Sequence, residues 1–285
     1  MRYFTKEWYE LCQECHLHLL LKVNEKAEEF SEEYYQKLYR RKLREFLKME
    51  KEISEMSADD VFGAETADPD FTVRVNDDNL TAEERLAIAG DIKQQILDAR
   101  NAYSPEPYDE AALCEQFHAN HEIQISLLKN RLPSEILDMV VDIRVLALDV
   151  AAKQVKKQLR IWCRANEKKM KYTMKDYRDY LGKNAENIGT GIVNRFAFHD
   201  SKLDRIHTTG SDVVVTIEPS GFTDIRTVIF RNARIVEQDS NLEGAWWLYE
   251  EMYSVDGGNE YHALVQCADG QLAYLTVFAA AVEFK

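Results

Sequence analysis

The segment Cys12-Gln-Glu-Cys15-His16 has the two thiols and trailing imidazole of a c-type haem attachment site. That chemistry belongs to exported proteins, and Glu7, Glu10 and Glu14 come before any apolar stretch, unlike an export signal. No cofactor is therefore expected. The same thiols, with His16 or His18, could begin a zinc site that Cys114, His118 and His121 complete. The last three lie at i, i+4 and i+7, on one face of a helix, and with Glu122 alongside they could serve a metal-dependent hydrolase. A second tight ligand pair is missing, however, and buried thiols commonly act as small hydrophobes. The expectation is no metal and no catalytic residue, and the chain leans away from being an enzyme.

His199-Asp200-Ser201 holds the residue types of a hydrolase triad. Read as part of a strand, His199 and Ser201 face one way and Asp200 the other, so no relay among them is expected. Glu250-Glu251 fails as an acid–base pair by the same alternation. Trp246-Trp247-Leu248-Tyr249 places large apolar groups on both faces of one strand. Either both faces are covered, or Trp247 and Tyr249 form an exposed aromatic patch of the kind partners use. His199, Asp200, Trp247 and Tyr249 are accordingly the candidate binding residues.

Between Lys156 and Lys175 stand eight basic residues against the single Glu167, with Trp162 and Tyr172 among them. This resembles a nucleic-acid stripe. Placed at the end of a long helix, though, Arg164, Lys168, Lys169 and Lys171 would simply meet the carboxyl-end dipole. Gly189-Thr-Gly191 lacks the rest of a phosphate loop and reads as linker. Arg144 winds onto the apolar face of its segment and is expected as a buried charge. Its partner would be a carboxylate of another element, Glu115 or Glu122 first and then Glu7, Glu10 or Glu14.

The elements that position these residues follow from period and caps. Thr5 and Ser31 open helices, and Thr81-Ala-Glu-Glu84 is a capping box. Residues 57–80 form a long loop in which Phe71–Val75 could make a short strand. Pro133 begins a strongly patterned helix running to about Arg160, the expected centre of the N-terminal core. A short helix, Thr173–Leu181, closes at Gly182. Turn signals at Thr209-Gly210, Pro219-Ser-Gly221, Asp256-Gly-Gly258 and Asp269-Gly270 then separate six β-branched and aromatic runs. These are Phe198–Ile206, Val213–Glu218, Ile225–Val236, Trp246–Tyr253, Tyr261–Cys267 and Leu272–Phe284, joined as an antiparallel meander. The predicted class is α+β, with a helical domain 1–186 and an antiparallel β domain 195–285.

The formal charge is −14, shared equally between the part up to Gly191 and the remainder. Such acidity suits neither nonspecific nucleic-acid binding nor an anionic membrane. The longest uncharged apolar-leaning run, Leu272–Val282, is far short of the about 20 residues a span needs. Five scattered cysteines fit reduced thiols, so a cytoplasmic location is expected.

Four segments resemble a bacterial family catalogued only as a domain of unknown function, number 4085. They are MRYFTKEWYELCQ, FSEEYYQKLYRRKLREFL, LPSEILDMVVDIRVLALDVAAKQVKK and FHDSKLDRI. The resemblance implies a cytoplasmic bacterial protein with no assigned activity and no catalytic residues to carry over. The strand containing Phe198-His199-Asp200-Ser201 is also similar to the first strand of small β domains in some toxin-immunity proteins. A non-enzymatic interaction protein with an unknown protein partner is the expected function. Its rivals are a toxin-immunity protein, whose acidity would complement a basic nuclease, and the hydrolase built on His118, His121 and Glu122.

Overall fold

The computed structural model of the chain describes residues 1–68, 70–75, 81–220 and 223–285. Gly221 of the second turn signal and residues 69 and 76–80 of the expected loop lie outside them. The chain is α+β, helical through its N-terminal part with six antiparallel strands at its C-terminal end. It forms two compact units, residues 1–20 with 157–285, and residues 21–156. The change of periodicity read at 186–195 falls inside the first of these.

Side-chain caps set most helix starts. Thr5 accepts from the Trp8 amide and opens α1 (Lys6–Glu14), and Ser31 accepts from Tyr34 to open α2 (Glu32–Ser54). Ser57 opens the short α3 (Ala58–Phe62), so the expected long loop begins with a helix. No strand forms at Phe71–Val75. Thr81 and Glu84 make the anticipated capping box of α4 (Ala82–Ala102), and Asp109 opens α5 (Glu110–Arg131).

The expected long helix from Pro133 is instead a broken series. It contains α6 (Ser134–Leu137), α7 (Ile143–Leu146) and a two-residue strand at Val150–Ala151, before α8 (Lys153–Ile188) begins. The reason is chemical. Asp142, which a continuous helix would turn to its polar face, accepts from the Arg144 amide and caps a new helix. Asp149 then takes a left-handed backbone conformation, which no helix interior contains. Val150–Ala151 pairs in parallel with Lys22–Val23, and Leu38, Val145, Leu148 and Val150 form the local core.

At its other end α8 runs straight through Gly182 and stops at Gly189, whose positive φ of 105° ends it. The short helix predicted at 173–181 is thus the second half of a 36-residue one. A single turn, α9 (Thr190–Val193), follows.

The strands are β1 (Lys22–Val23) and β2 (Val150–Ala151), then β3 (Lys202–Thr209), β4 (Asp212–Glu218), β5 (Thr227–Gln238), β6 (Trp246–Val255), β7 (Gly258–Gln266) and β8 (Leu272–Phe284). The last six match the predicted runs within a few residues. Their order β3-β4-β5-β8-β7-β6 closes into a barrel through Lys202↔Trp246, which removes the free edges a simple meander would leave. Phe196, Phe198, Phe230, Trp247 and Tyr261 fill the interior, so the barrel is packed by its own side chains. Gly258 is needed where β7 meets β8, because a Cβ there would lie 2.2 Å from the Ala279 carbonyl oxygen.

Candidate binding site

His199 and Asp200 occupy a turn ahead of β3, with Asp200 at a φ of 62°, and not the strand expected for them. The alternation argument therefore does not apply, and His199 Nδ1 approaches Asp200 Oδ1 at 3.0 Å. Ser201 does not join them. It is fully buried, its hydroxyl donates to Ser220, and Ser220 donates to the His199 carbonyl at 2.7 Å. These bonds fasten the entrance to the barrel and present no nucleophile.

Strand β6 gathers the remaining candidates. Trp246 and Trp247 alternate, Trp246 exposed and Trp247 in the barrel, and a bulge between Trp247 and Tyr249 then turns Tyr249 away from the barrel core toward Phe4 and Trp8. Trp247 is 2% exposed and packs on Phe196 and Phe198. Tyr249 is half-buried against Phe4, Trp8 and His199. The four candidate binding residues thus lie together near α1 and the barrel mouth, with Trp247 buried, His199 and Tyr249 half-buried and Asp200 exposed.

The adjacent glutamates project to opposite faces, as alternation requires. Glu250 accepts from Trp247 Nε1 at 2.9 Å, and burial pushes its carboxyl up to about 7. Glu251 is fully buried on the other face. It accepts from the amides of Arg2 (2.7 Å), Tyr3 (2.9 Å) and Phe4, and from the Tyr253 hydroxyl. Sequence reasoning dismissed the pair and so missed both environments. The charged Glu251 among apolar neighbours was the available signal.

One further array escaped the sequence because it spans strands. Thr276 Oγ1 lies 3.0 Å from His262 Nδ1, and His262 Nε2 lies 3.2 Å from Glu260. This has the order of a nucleophile, base and acid. Thr276 is only 2% exposed, however, and its hydroxyl also reaches Glu237, so a substrate carbonyl has no approach to it. Desolvation holds the His262 imidazole below its ordinary value.

The metal candidates are divided between the two units. Cys12 and Cys15 belong to one unit, and Cys114, His118 and His121 to the other. Burial pushes the Cys12 thiol up to about 12, far from the thiolate that metal binding requires. His121 is buried between Tyr35 and Tyr39, and its Nε2 faces the Arg144 carbonyl at 3.1 Å, whereas His118 and Glu122 are exposed. Among the described residues no group of three or more His, Cys, Asp or Glu is arranged to hold a metal ion.

Arg144 is half-buried and not the fully enclosed charge expected from a continuous helix. Its partners also differ from those expected. The guanidinium grips Asp142 through two bonds of 3.0 and 2.8 Å, meets Glu32 at 2.8 Å, and lies 4.1 Å from the centre of the Tyr35 ring. These bonds hold the Asp142 carboxyl below its ordinary value against its own desolvation. A regular helix would have turned Asp142 away from Arg144, and the break before α7 is what brings the two together.

The opening best shaped for a partner is a groove of about 510 Å³ in the unit 21–156. Its walls are the end of α2 (Glu50, Ile53), the extended segment Tyr103–Asp109, and the start of α5 (Leu113). Pro105 and Pro107 fix φ and keep the residues before them extended, so this wall is rigid without secondary structure. Tyr103 is anchored by donating to the Met56 carbonyl and by an edge contact with Phe62. Glu50, Glu106 and Asp109 line the groove, and no Lys or Arg does. Tyrosine, proline and carboxylate together suit a cationic segment with apolar side chains.

These features define a two-unit α+β protein with a packed, closed six-stranded barrel and an acid-lined groove among its helices. The chain belongs to the family described as protein of unknown function (DUF4085), whose model matches residues 109–277. The match includes the α5 side of the groove and most of the barrel, but not Glu50 and Ile53 of α2. No curated protein and no solved structure matches the chain. No described helix is long and apolar enough to cross a membrane.

Proposed function

We propose that this chain is a non-enzymatic binding protein whose groove between α2, Tyr103–Asp109 and α5 receives a cationic, partly apolar segment of a protein partner. The observation that carries the reading is the lining itself, with three carboxylates, no cation, and tyrosine and proline rings between them. The barrel supports it from the other side, because its interior is occupied by its own aromatic core. A basic toxin would be one member of the proposed partner class.

Calorimetry with a twelve-residue peptide of alternating lysine and leucine, and with its glutamate-for-lysine counterpart, tests the reading. The cationic peptide is expected to bind, and Glu50→Gln with Glu106→Gln to weaken it about tenfold, near the 1.4 kcal/mol of two partly exposed ion contacts. Equal binding of both peptides, or indifference to the double variant, would sink the proposal.

A further inference from the structure

The basic run in α8 was explained from sequence as the carboxyl end of a helix, where cations meet the dipole. The structure removes that explanation. Arg164, Lys168 and Lys171 lie in the middle of a 36-residue helix, five or more turns from the end nearest Gly189 for Arg164 and Lys168. At about 100° per residue, Lys157, Arg160, Arg164, Lys168, Lys171, Lys175 and Arg178 all fall within about 40° of one line. No other residue type enters that band between its ends, and all seven are exposed. The line is about 32 Å long at 1.5 Å per residue. Leu159, Cys163, Asn166 and Tyr177 occupy the opposite, buried side.

Glu167 pairs with Lys171 and Asp179 with Lys175, leaving five cations without a carboxylate in the same helix. Tyr172 stands beside the line, 55% exposed, with Lys168 Nζ 5.6 Å from its ring centre. Arg164, Lys168, Lys171, Tyr172 and Lys175 border one shallow groove of about 360 Å³, together with Glu167, whose carboxylate is paired with Lys171.

We infer that this face binds single-stranded nucleic acid, its cations following the phosphodiester backbone and Tyr172 stacking on an unpaired base. The arrangement argues against a protein partner. Protein interfaces place apolar groups at the centre and charge at the rim, whereas here charge holds the centre and Ile161 and Tyr172 flank it. A polyanion needs no apolar seam, because releasing its condensed counterions drives association. The net charge of −14 is no bar. At physiological ionic strength the Debye length is about 8 Å, so a strand on this face senses the cations beneath it first.

Fluorescence anisotropy of a labelled twenty-residue oligothymidylate, titrated with the full chain, tests this. Five phosphate contacts on a single strand predict a roughly 100-fold loss of affinity between 50 and 200 mM salt. Arg164→Glu with Lys168→Glu should cost at least tenfold with an unchanged thermal melt, since both side chains are exposed. Tyr172→Ala should weaken the strand about fivefold or more and leave a duplex of equal length unaffected. No binding at 50 mM salt, or no response to the double variant, overturns the inference. So does polyglutamate or a phosphatidylserine vesicle binding as tightly as the oligonucleotide.

Discussion

Replacing Glu251 is the sharpest test of how the first unit holds its N-terminal segment. Its carboxylate is fully buried and receives three consecutive amides and a tyrosine hydroxyl. Glu251→Ala removes every acceptor at once, leaving buried donors that cost about 1–3 kcal/mol each when unmet. Water entering the vacated space would satisfy some of them, so a loss of about 3–5 kcal/mol is expected, in the range for breaking a buried charged network. For a protein of this size that corresponds to a fall in Tm of about 5–8 °C. Phe4 and Trp8 pack with Tyr177 and Tyr249 directly beside these bonds, so Trp8 should become wetter. Thermal unfolding followed by tryptophan emission reads both effects, and hydrogen exchange at Tyr3 and Phe4 should accelerate before global unfolding. A variant melting within 2 °C of the parent, with those amides still protected, would refute the reasoning.

Three other outcomes follow from the structure. Glu250 has a folded pKa raised from 4.5 to about 7, so the native state prefers it protonated. There is no penalty below about pH 4.5, the penalty grows as pH rises toward 7, and above that it reaches about 3 kcal/mol. Urea titrations should find the chain losing stability from pH 5 to 8, and Glu250→Gln should flatten that slope. Arg144→Ala strips the bonds that lower the Asp142 carboxyl and should cost about 1–3 kcal/mol at pH 7. Because a depressed carboxylate contributes fully only above its unfolded value of 3.8, the difference from the parent should shrink as pH falls through that value and then through the lowered folded one. Gly258→Ala forces β7 from β8 and should destabilise by about 1–3 kcal/mol in the same assay, while Gly182→Ala, with open space at its Cβ inside α8, should not destabilise.

The β half was legible because its signals are local. Alternation and turn residues located six strands, and Asp256-Gly-Gly258 fell where β6 turns into β7. Barrel closure was not legible, since Lys202↔Trp246 and the β5–β8 pairing join residues far apart in sequence. Helix starts were visible through Thr5, Ser31 and Thr81. The break at Asp142 was hidden because one aspartate can serve a polar face or cap a new helix, and periodicity does not distinguish these. Trp247 and Tyr249, expected on one face, lie on opposite faces for a similar reason, as one bulge inverts the alternation beyond it. The acid-lined groove left no pattern, because α2, Tyr103–Asp109 and α5 are brought together only by folding.

The central claim, that the groove takes a cationic protein segment, is tested most directly by amide hydrogen exchange with and without a saturating lysine–leucine peptide. The account predicts added protection at the end of α2, through residues 103–109 and in the first turn of α5. Protection elsewhere with none at these positions would contradict it.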